Sequence, residues 1–484
     1  MATALVNQTE MLFAAVSAGS VEALQKLLKK TKHQERAKIA DAFNSSKETP
    51  LLVAIKRNDQ EMVRFLIEEL NADISKAGSF NWKGVNYTEA LPLFAAILSD
   101  STSNVYIVNF LAAQDTTYDI NVCDLSNVIQ LTQKIDMLEL MGAVYMLNPD
   151  SETTIVDKCQ FDFPKLDPKC VARIATECWF LALQLRDELT GKLSDSSFMK
   201  TPSSLSKFAQ IVFGTVAEFR TQHELEQMFA QKSRSLLESQ ALLVLQRILT
   251  RIDPDPHFFY IRRLLQFGKD WFSESANEYN RVVNVVLLAL EPFHARQWED
   301  VVNSDLFLKL VLGAVDMIKY FRWMKKEPPP NSSKLPYESL LEVITYVSSL
   351  LMKLQKPGDG EAREKAKFFV LFISDAIGMF TAHGKETSPE FKKWLLGYIE
   401  FTNSHPGIFT ALHATCGFPN MPIKTVQLFL EGGSHPNAED EKGATALHYL
   451  TRNKNSPNFK AAVNLLLRAG AFIDERFMKL KNQK

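Results

Sequence analysis

Apolar residues recur at three- and four-residue spacing along most of the chain, while the alternation expected of strands is hard to find. In MLFAAVSAGSVEALQKLLKK, residues 11–30, Phe13, Ala14 and Ala15 begin one short helix. Ala18, Gly19 and Ser20 break it, and Val21, Leu24, Leu27 and Leu28 share one face of a second. The pattern returns over residues 47–70, KETPLLVAIKRNDQEMVRFLIEEL. Thr49 is placed to cap, and Pro50 takes the first helical position, where its missing N–H costs nothing. Asn58-Asp59 makes the turn, and Val63, Leu66 and Ile67 supply the second apolar face. A third copy spans residues 90–113, ALPLFAAILSDSTSNVYIVNFLAA, with Ser99 to Ser103 as a longer turn.

The aligned alanines Ala15, Ala54 and Ala96 lie 39 and 42 residues apart. An ankyrin repeat has a period of about 33, so the surplus falls in the connecting loops. One of these, KAGSFNWKGVNYTE (76–89), carries Phe80, Trp82, Lys83 and Tyr87. Two accounts fit the aromatics: a cover over the top of a repeat, or anchors for a partner, since loops of this kind are where repeat stacks meet other proteins.

Residues 1–123 are therefore read as about three N-terminal ankyrin repeats. Residues 124–403 hold longer, less regular helical stretches. In LTQKIDMLELMGAVYMLN, Ile135, Leu138, Met141, Gly142 and Tyr145 form a stripe with one small position for close packing. In CVARIATECWFLALQLRDELTGKL, Ile174, Cys178, Leu181 and Leu185 share a face, with Trp179 and Leu183 beside it. Further helices are predicted in residues 237–252, 259–272, 276–293, 305–324, 335–354 and 362–380. Successive helices with alternating large and small residues predict antiparallel hairpins stacked as a tetratricopeptide-like array. The loops KKEPPPNSSKLP (325–336) and KPGDGE (356–361) are expected as linkers.

Residues 404–474 return to ankyrin grammar, twice: GIFTALHATCGF with TVQLFLEGG, then GATALHYLTRN with FKAAVNLLLRAG. Gly432-Gly433 and Gly470 follow the outer helices, where a left-handed residue is needed. Residues 475–484 are left as a tail. The fold class is all-α, ankyrin repeats flanking a helical array in an α-solenoid.

Composition adds limits. Net charge is −1, so nothing global favours nucleic acid or an anionic membrane. The longest apolar run, VVNVVLLAL, is too short to span a bilayer, and MATALVNQTE lacks the pattern of a secretory signal. Five cysteines with no C-x-x-C pair fit a reducing compartment. Cys170 and Cys178 lack a neighbouring histidine, which argues against zinc. A cytoplasmic protein is expected, with the nucleus as second compartment.

Chemistry is hard to find. No phosphate-binding loop, dinucleotide fingerprint, H-E-x-x-H or G-x-S-x-G occurs. His257, in DPDPHFF, is expected at a helix start, with Asp253 and Asp255 as caps. His448 repeats a position occupied by His413 one copy earlier. Thr445 is placed to cap, Ala446 and Leu447 to pack inward, and His448 to hydrogen-bond backbone between repeats. No enzyme activity, metal or cofactor is expected.

The order of segments resembles the fem (feminization) family. TPLLVAIKRNDQEMVRFLIEE followed by AGSFNWKGVNYTEALPLFAA is similar to the family's enlarged loop. QKIDMLELMGAVYMLN is similar to its linker helix. HPGIFTALHATCGFPN with TVQLFLEGGSHPNAEDEKGATALHYL resembles its terminal repeats. The resemblance implies a substrate-recognition subunit of a cullin-RING ubiquitin ligase, binding C-terminal degrons that often end in arginine, in a family with a role in sex determination.

Three departures qualify this. The family's N-terminal stack is longer. Its loop carries an acidic residue for the degron arginine, whereas Lys83 stands here, so an altered specificity for carboxylates follows. Its elongin-binding box is not visible: Leu166, Cys170 and Ile174 have the spacing, but Pro168 is expected to interrupt that helix and Lys165 precedes it. Ala411-Leu412 with Cys416 belongs to a repeat, and Asn420 does not fit the box. The expected partner is a protein or peptide, including a C-terminal degron, with elongin and cullin implied by the family alone. The alternative is an ankyrin scaffold that recruits no ligase.

Overall fold

The computed structural model describes residues 2–99, 104–112, 128–147, 168–193, 205–214, 217–231, 233–252, 257–274, 279–294, 337–354, 360–382, 384–405, 407–419 and 421–482. The chain divides into two compact units. One comprises residues 1–206 and 213–264, the other residues 207–212 and 265–484. The division falls inside the predicted helical array.

The N-terminal block contains α1 (Ala2–Ala18), α2 (Val21–Lys30), α3 (His33–Ala40), α4 (Pro50–Lys56) and α5 (Gln60–Glu68). A β-hairpin follows, then α6 (Pro92–Leu98) and α7 (Asn104–Ala112). Local chemistry sets the breaks. Ser20, Thr49 and Asp59 accept the N–H groups of Ala23, Leu52 and Met62, capping α2, α4 and α5. Gly19 and Asn58, each just ahead of a cap, take left-handed backbone (φ 68° and 57°). The inner helices α1, α4 and α6 pack in series, and Ala15, Ala54 and Ala96 are all buried between them.

Strands were not expected. The enlarged loop forms β1 (Gly78–Trp82) and β2 (Val85–Ala90), antiparallel, with Phe80 opposite Tyr87 and Trp82 opposite Val85. Lys83 and Gly84 make a two-residue turn with φ 46° and 83°. Two successive left-handed residues match the twist of the flanking strands, which is why so short a turn closes a hairpin.

The helices after the repeats are α8 (Val128–Leu147), α9 (Pro168–Leu193), α10 (Lys207–Phe213), α11 (Gln222–Ala230), α12 (Arg234–Ile252), α13 (Phe258–Glu274), α14 (Tyr279–His294), α15 (Tyr337–Leu354), α16 (Gly360–Ala382) and α17 (Pro389–Ser404). In the first unit, α8 packs against α9 and α12. Gly142 is the close approach: a Cβ there would sit 2.5 Å from Trp179 Nε1, whose N–H donates to Glu139 O at 3.1 Å. The Glu139 side chain is fully buried. Its carboxylate accepts from Arg186 at 2.9 Å and Arg247 at 2.5 Å, and Arg247 also pairs with Glu218. Paired on both sides, a buried carboxylate is tolerated; alone it would be costly.

One expectation changes along these helices. Pro168 does not interrupt α9 but begins it, where proline is favoured. Leu166 and Lys165, the helix predicted over 305–324, the proline-rich loop 325–336, and Asp253 and Asp255 lie outside the described residues.

In the second unit, α14 packs on α15, α15 on α16, and α16 on the terminal helices α18 (Ala411–Gly417) and α19 (Ile423–Glu431). Hydroxyl pairs fix that seam: Ser374 with Thr415 at 2.6 Å, and Thr381 with Thr425 at 2.9 Å. The next helix pair is α20 (Ala446–Leu450) and α21 (Phe459–Arg468). An asparagine ladder joins the outer loops. Asn403 donates to Gly433 O at 2.8 Å and accepts from His435 N–H at 3.2 Å; Asn437 does the same with Gly470 O and Phe472 N–H, both at 2.8 Å. Asn403 belongs to α17, so that helix is bonded to the loop after α19 as that loop is to the loop before Phe477. The tail is likewise structured: Glu475–Asn482 forms α22 and buries Phe477.

Candidate functional site

The hairpin is held at both edges. Ser79 N–H donates to Lys47 O at 2.8 Å, and a Cβ on Gly78 would lie 2.7 Å from Leu52 Cδ1, so β1 is pressed onto the second repeat. On the other side β2 packs against α8, and Gln133 Nε2 reaches Asn86 O at 3.5 Å. Phe80, Trp82 and Tyr87 share one face. Phe80 stacks with Trp82 at 6.2 Å between ring centroids, and Tyr87 meets Phe94 edge-on at 5.2 Å.

This sorts the four residues singled out from sequence. Phe80 and Tyr87 are buried, so they hold the hairpin to its repeat rather than offering surface to a partner. Trp82 is half-buried, and Lys83 is exposed at the tip of the turn. Burial also raises the Tyr87 hydroxyl above its ordinary pKa, with the Asp136 carboxylate adding to the effect.

Beside the hairpin lies a cleft of about 430 Å³, bounded by β2, the loop leading into β1, and α8. Phe94, Met137 and Met141 line its buried interior, while Lys76, Glu89 and Lys134 stand at its more exposed edges. Lys76 Nζ sits 5.4 Å from the ring centroid of Phe43, which is 47% exposed. Behind the loop, Asp41 accepts the Asp73 N–H at 2.8 Å; burial raises its carboxyl pKa against that bond. The cleft could not be found from local sequence. Lys76 and Lys134 line the same cleft only because α8 returns to pack on β2.

Elsewhere, several potentially reactive side chains are buried. Cys178 and Cys416 are buried thiols; burial pushes Cys178 up to about 12 and Cys416 upward as well, away from nucleophilic thiolate. His257 is buried at the start of α13. His413 Nδ1 accepts the Thr410 N–H at 3.0 Å, and Nε2 bonds Ala438 O at 2.9 Å in the next loop. His448 repeats the first bond with Thr445 at 3.0 Å, but its Nε2 meets the Asp474 side chain, not backbone. Among the described residues no group of three His, Cys, Asp or Glu side chains is placed to hold a metal ion, and no helix is long and apolar enough to cross a membrane.

No curated protein matches the chain. The family model for ankyrin repeats, in three copies, matches residues 11–124, the block that carries the hairpin. The chain carries an N-terminal stack of three ankyrin repeats, the architecture of a protein-interaction scaffold.

Proposed function

We propose that the protein is an adaptor that holds a segment of a partner polypeptide in the cleft between the hairpin and α8. The observation that carries this reading is a buried apolar interior with charged edges, beside the enlarged loop of the repeat stack. An apolar side chain fits the interior. Lys83 at the hairpin tip favours a carboxylate from an acidic side chain or a peptide C-terminus over an arginine, while Lys76, Lys134, Asp73 and Glu89 line the cleft with both signs. Trp82 and Lys83 remain the contact residues of the hairpin.

The finer reading is a substrate-recognition subunit of a cullin-RING ubiquitin ligase, with degron specificity altered at Lys83. Its support is the resemblance of the enlarged loop, the linker helix and the terminal repeats. The alternative is a scaffold without ligase recruitment. Affinity purification of the full chain with mass spectrometry, beside Lys83→Glu, separates them. Partners that depend on Lys83, together with elongin and cullin, support the ligase reading. Loss of elongin and cullin alone leaves the scaffold. A partner set unchanged by Lys83→Glu removes the hairpin from the binding site.

A further inference from the structure

Large exposed apolar side chains gather at a second place. Leu467, Phe472, Ile473 and Met478 fall within twelve residues at the end of α21 and the start of α22. Phe472 is 78% exposed and Ile473 49%. Equivalent loops differ. Asn71, Gly433 and Gly470 all take left-handed backbone (φ 54°, 91° and 92°) and fix the alignment. Asp73 and His435 then stand where Phe472 stands, and the buried Ile74 stands where Ile473 is exposed.

The backbone that presents these side chains is fixed. Asn437 holds Gly470 O and Phe472 N–H, and Asp474 is engaged by Phe477 N–H and His448. A preordered apolar patch loses little entropy on binding. It is also basic. Residues 459–479, whose side chains are described, contain four Lys and Arg against two acidic residues, in a chain of net charge −1. Asp474 is engaged as above, and the exposed Glu475 faces Lys479 at 3.9 Å, a pair whose two charges offset each other. Arg468 has no ion-pair partner among the described residues and stands four positions before Phe472. Arg476 lies against the Lys442 and Gly443 carbonyls at 3.0 and 3.3 Å, which keeps its charge at the surface.

We propose that this edge is a second docking surface, independent of the cleft, for an acidic protein segment that carries apolar side chains. Phe472 is its anchor and Arg468 its charge contact. An anionic bilayer is the poorer occupant. The helix α22 has only eight residues and turns Phe477 inward instead of presenting a long apolar face.

Fluorescence anisotropy with the full-length protein tests this. The probes are a labelled peptide of alternating Glu and Leu, its Lys/Leu counterpart, and phosphatidylserine–phosphatidylcholine vesicles. The Glu/Leu peptide binds, more weakly as salt is added, and the Lys/Leu peptide does not. Phe472→Ala and Arg468→Glu each weaken binding by about tenfold or more with an unchanged melting temperature. Lys83→Glu leaves it unaltered, so failure of the cleft reading does not touch this one. The proposal falls if the Glu/Leu peptide does not bind, if both peptides bind alike, or if the two edge variants have no effect. It falls equally if Lys83→Glu abolishes binding, or if only vesicles bind.

Discussion

His448 Nε2 lies 3.1 Å from Asp474 Oδ1, and that same oxygen accepts the Phe477 N–H at 2.7 Å. One imidazole thus links the start of α20, through Thr445 N–H, to the start of α22. His448 is a fastener between two helix ends.

His448→Ala is expected to lower stability by about 1–2 kcal/mol, chiefly because Thr445 N–H loses its buried acceptor. Asp474 is half-exposed, so its contact with His448 adds less than about 1 kcal/mol. Denaturant melts of His448→Ala, Asp474→Ala and the double variant measure the coupling. Additive losses would mean the link between the helices carries no energy.

His413 makes stability depend on pH. Burial lowers its pKa, opposed more weakly by the Ala438 carbonyl and the Asp440 charge. The unfolded chain therefore binds a proton first as pH falls below about 6.5, the ordinary imidazole value. This contribution is full above that pH and is lost as pH drops through the folded value. Asp440, whose pKa is lowered by bonds from Tyr449 and backbone N–H groups against its burial, acts in a separate window below about 4. Melts at pH 7.5 and pH 5.5 are expected to differ less in His413→Gln than in the parent chain.

Gly142→Ala is expected to cost about 1–3 kcal/mol, the usual scale of overpacking. The added methyl meets Trp179 Nε1 and stands 3.0 Å from Ala175 O, so the two helices must separate. Intrinsic tryptophan fluorescence should shift as the indole loses Glu139 O. An unchanged spectrum and melt would show that α8 and α9 are not packed at this point.

In the hairpin, stability and recognition should separate. Phe80→Ala is expected to cost about 3–5 kcal/mol, because it empties a buried ring site. Lys83→Glu should stay within about 0.5 kcal/mol of the parent, as an exposed tip substitution. Thermal melts of both variants check this. A large loss from Lys83→Glu would show that the lysine builds the turn.

Much of the fold was legible in local pattern. The breaks at Gly19-Ser20 and Asn58-Asp59, the cap at Thr49 and the repeated histidine position all act within a few residues, and their chemistry is written in residue type. The hairpin was missed because Phe80, Trp82, Val85 and Tyr87 alternate over too few residues to stand out among helices, and its Lys-Gly turn lacks the usual asparagine.

By itself, then, the sequence determined paired helices, their ends and the N-terminal repeats, since spacing and capping are local properties. Tertiary structure alone decided the rest. It buried Phe80 and Tyr87 while leaving Lys83 outside, enclosed Glu139 between two arginines, opened a cleft between β2 and α8, and left Phe472 uncovered where Ile74 is covered. Each of these depends on which distant segment packs against a residue, and burial is a property of that contact, not of the residue that makes it.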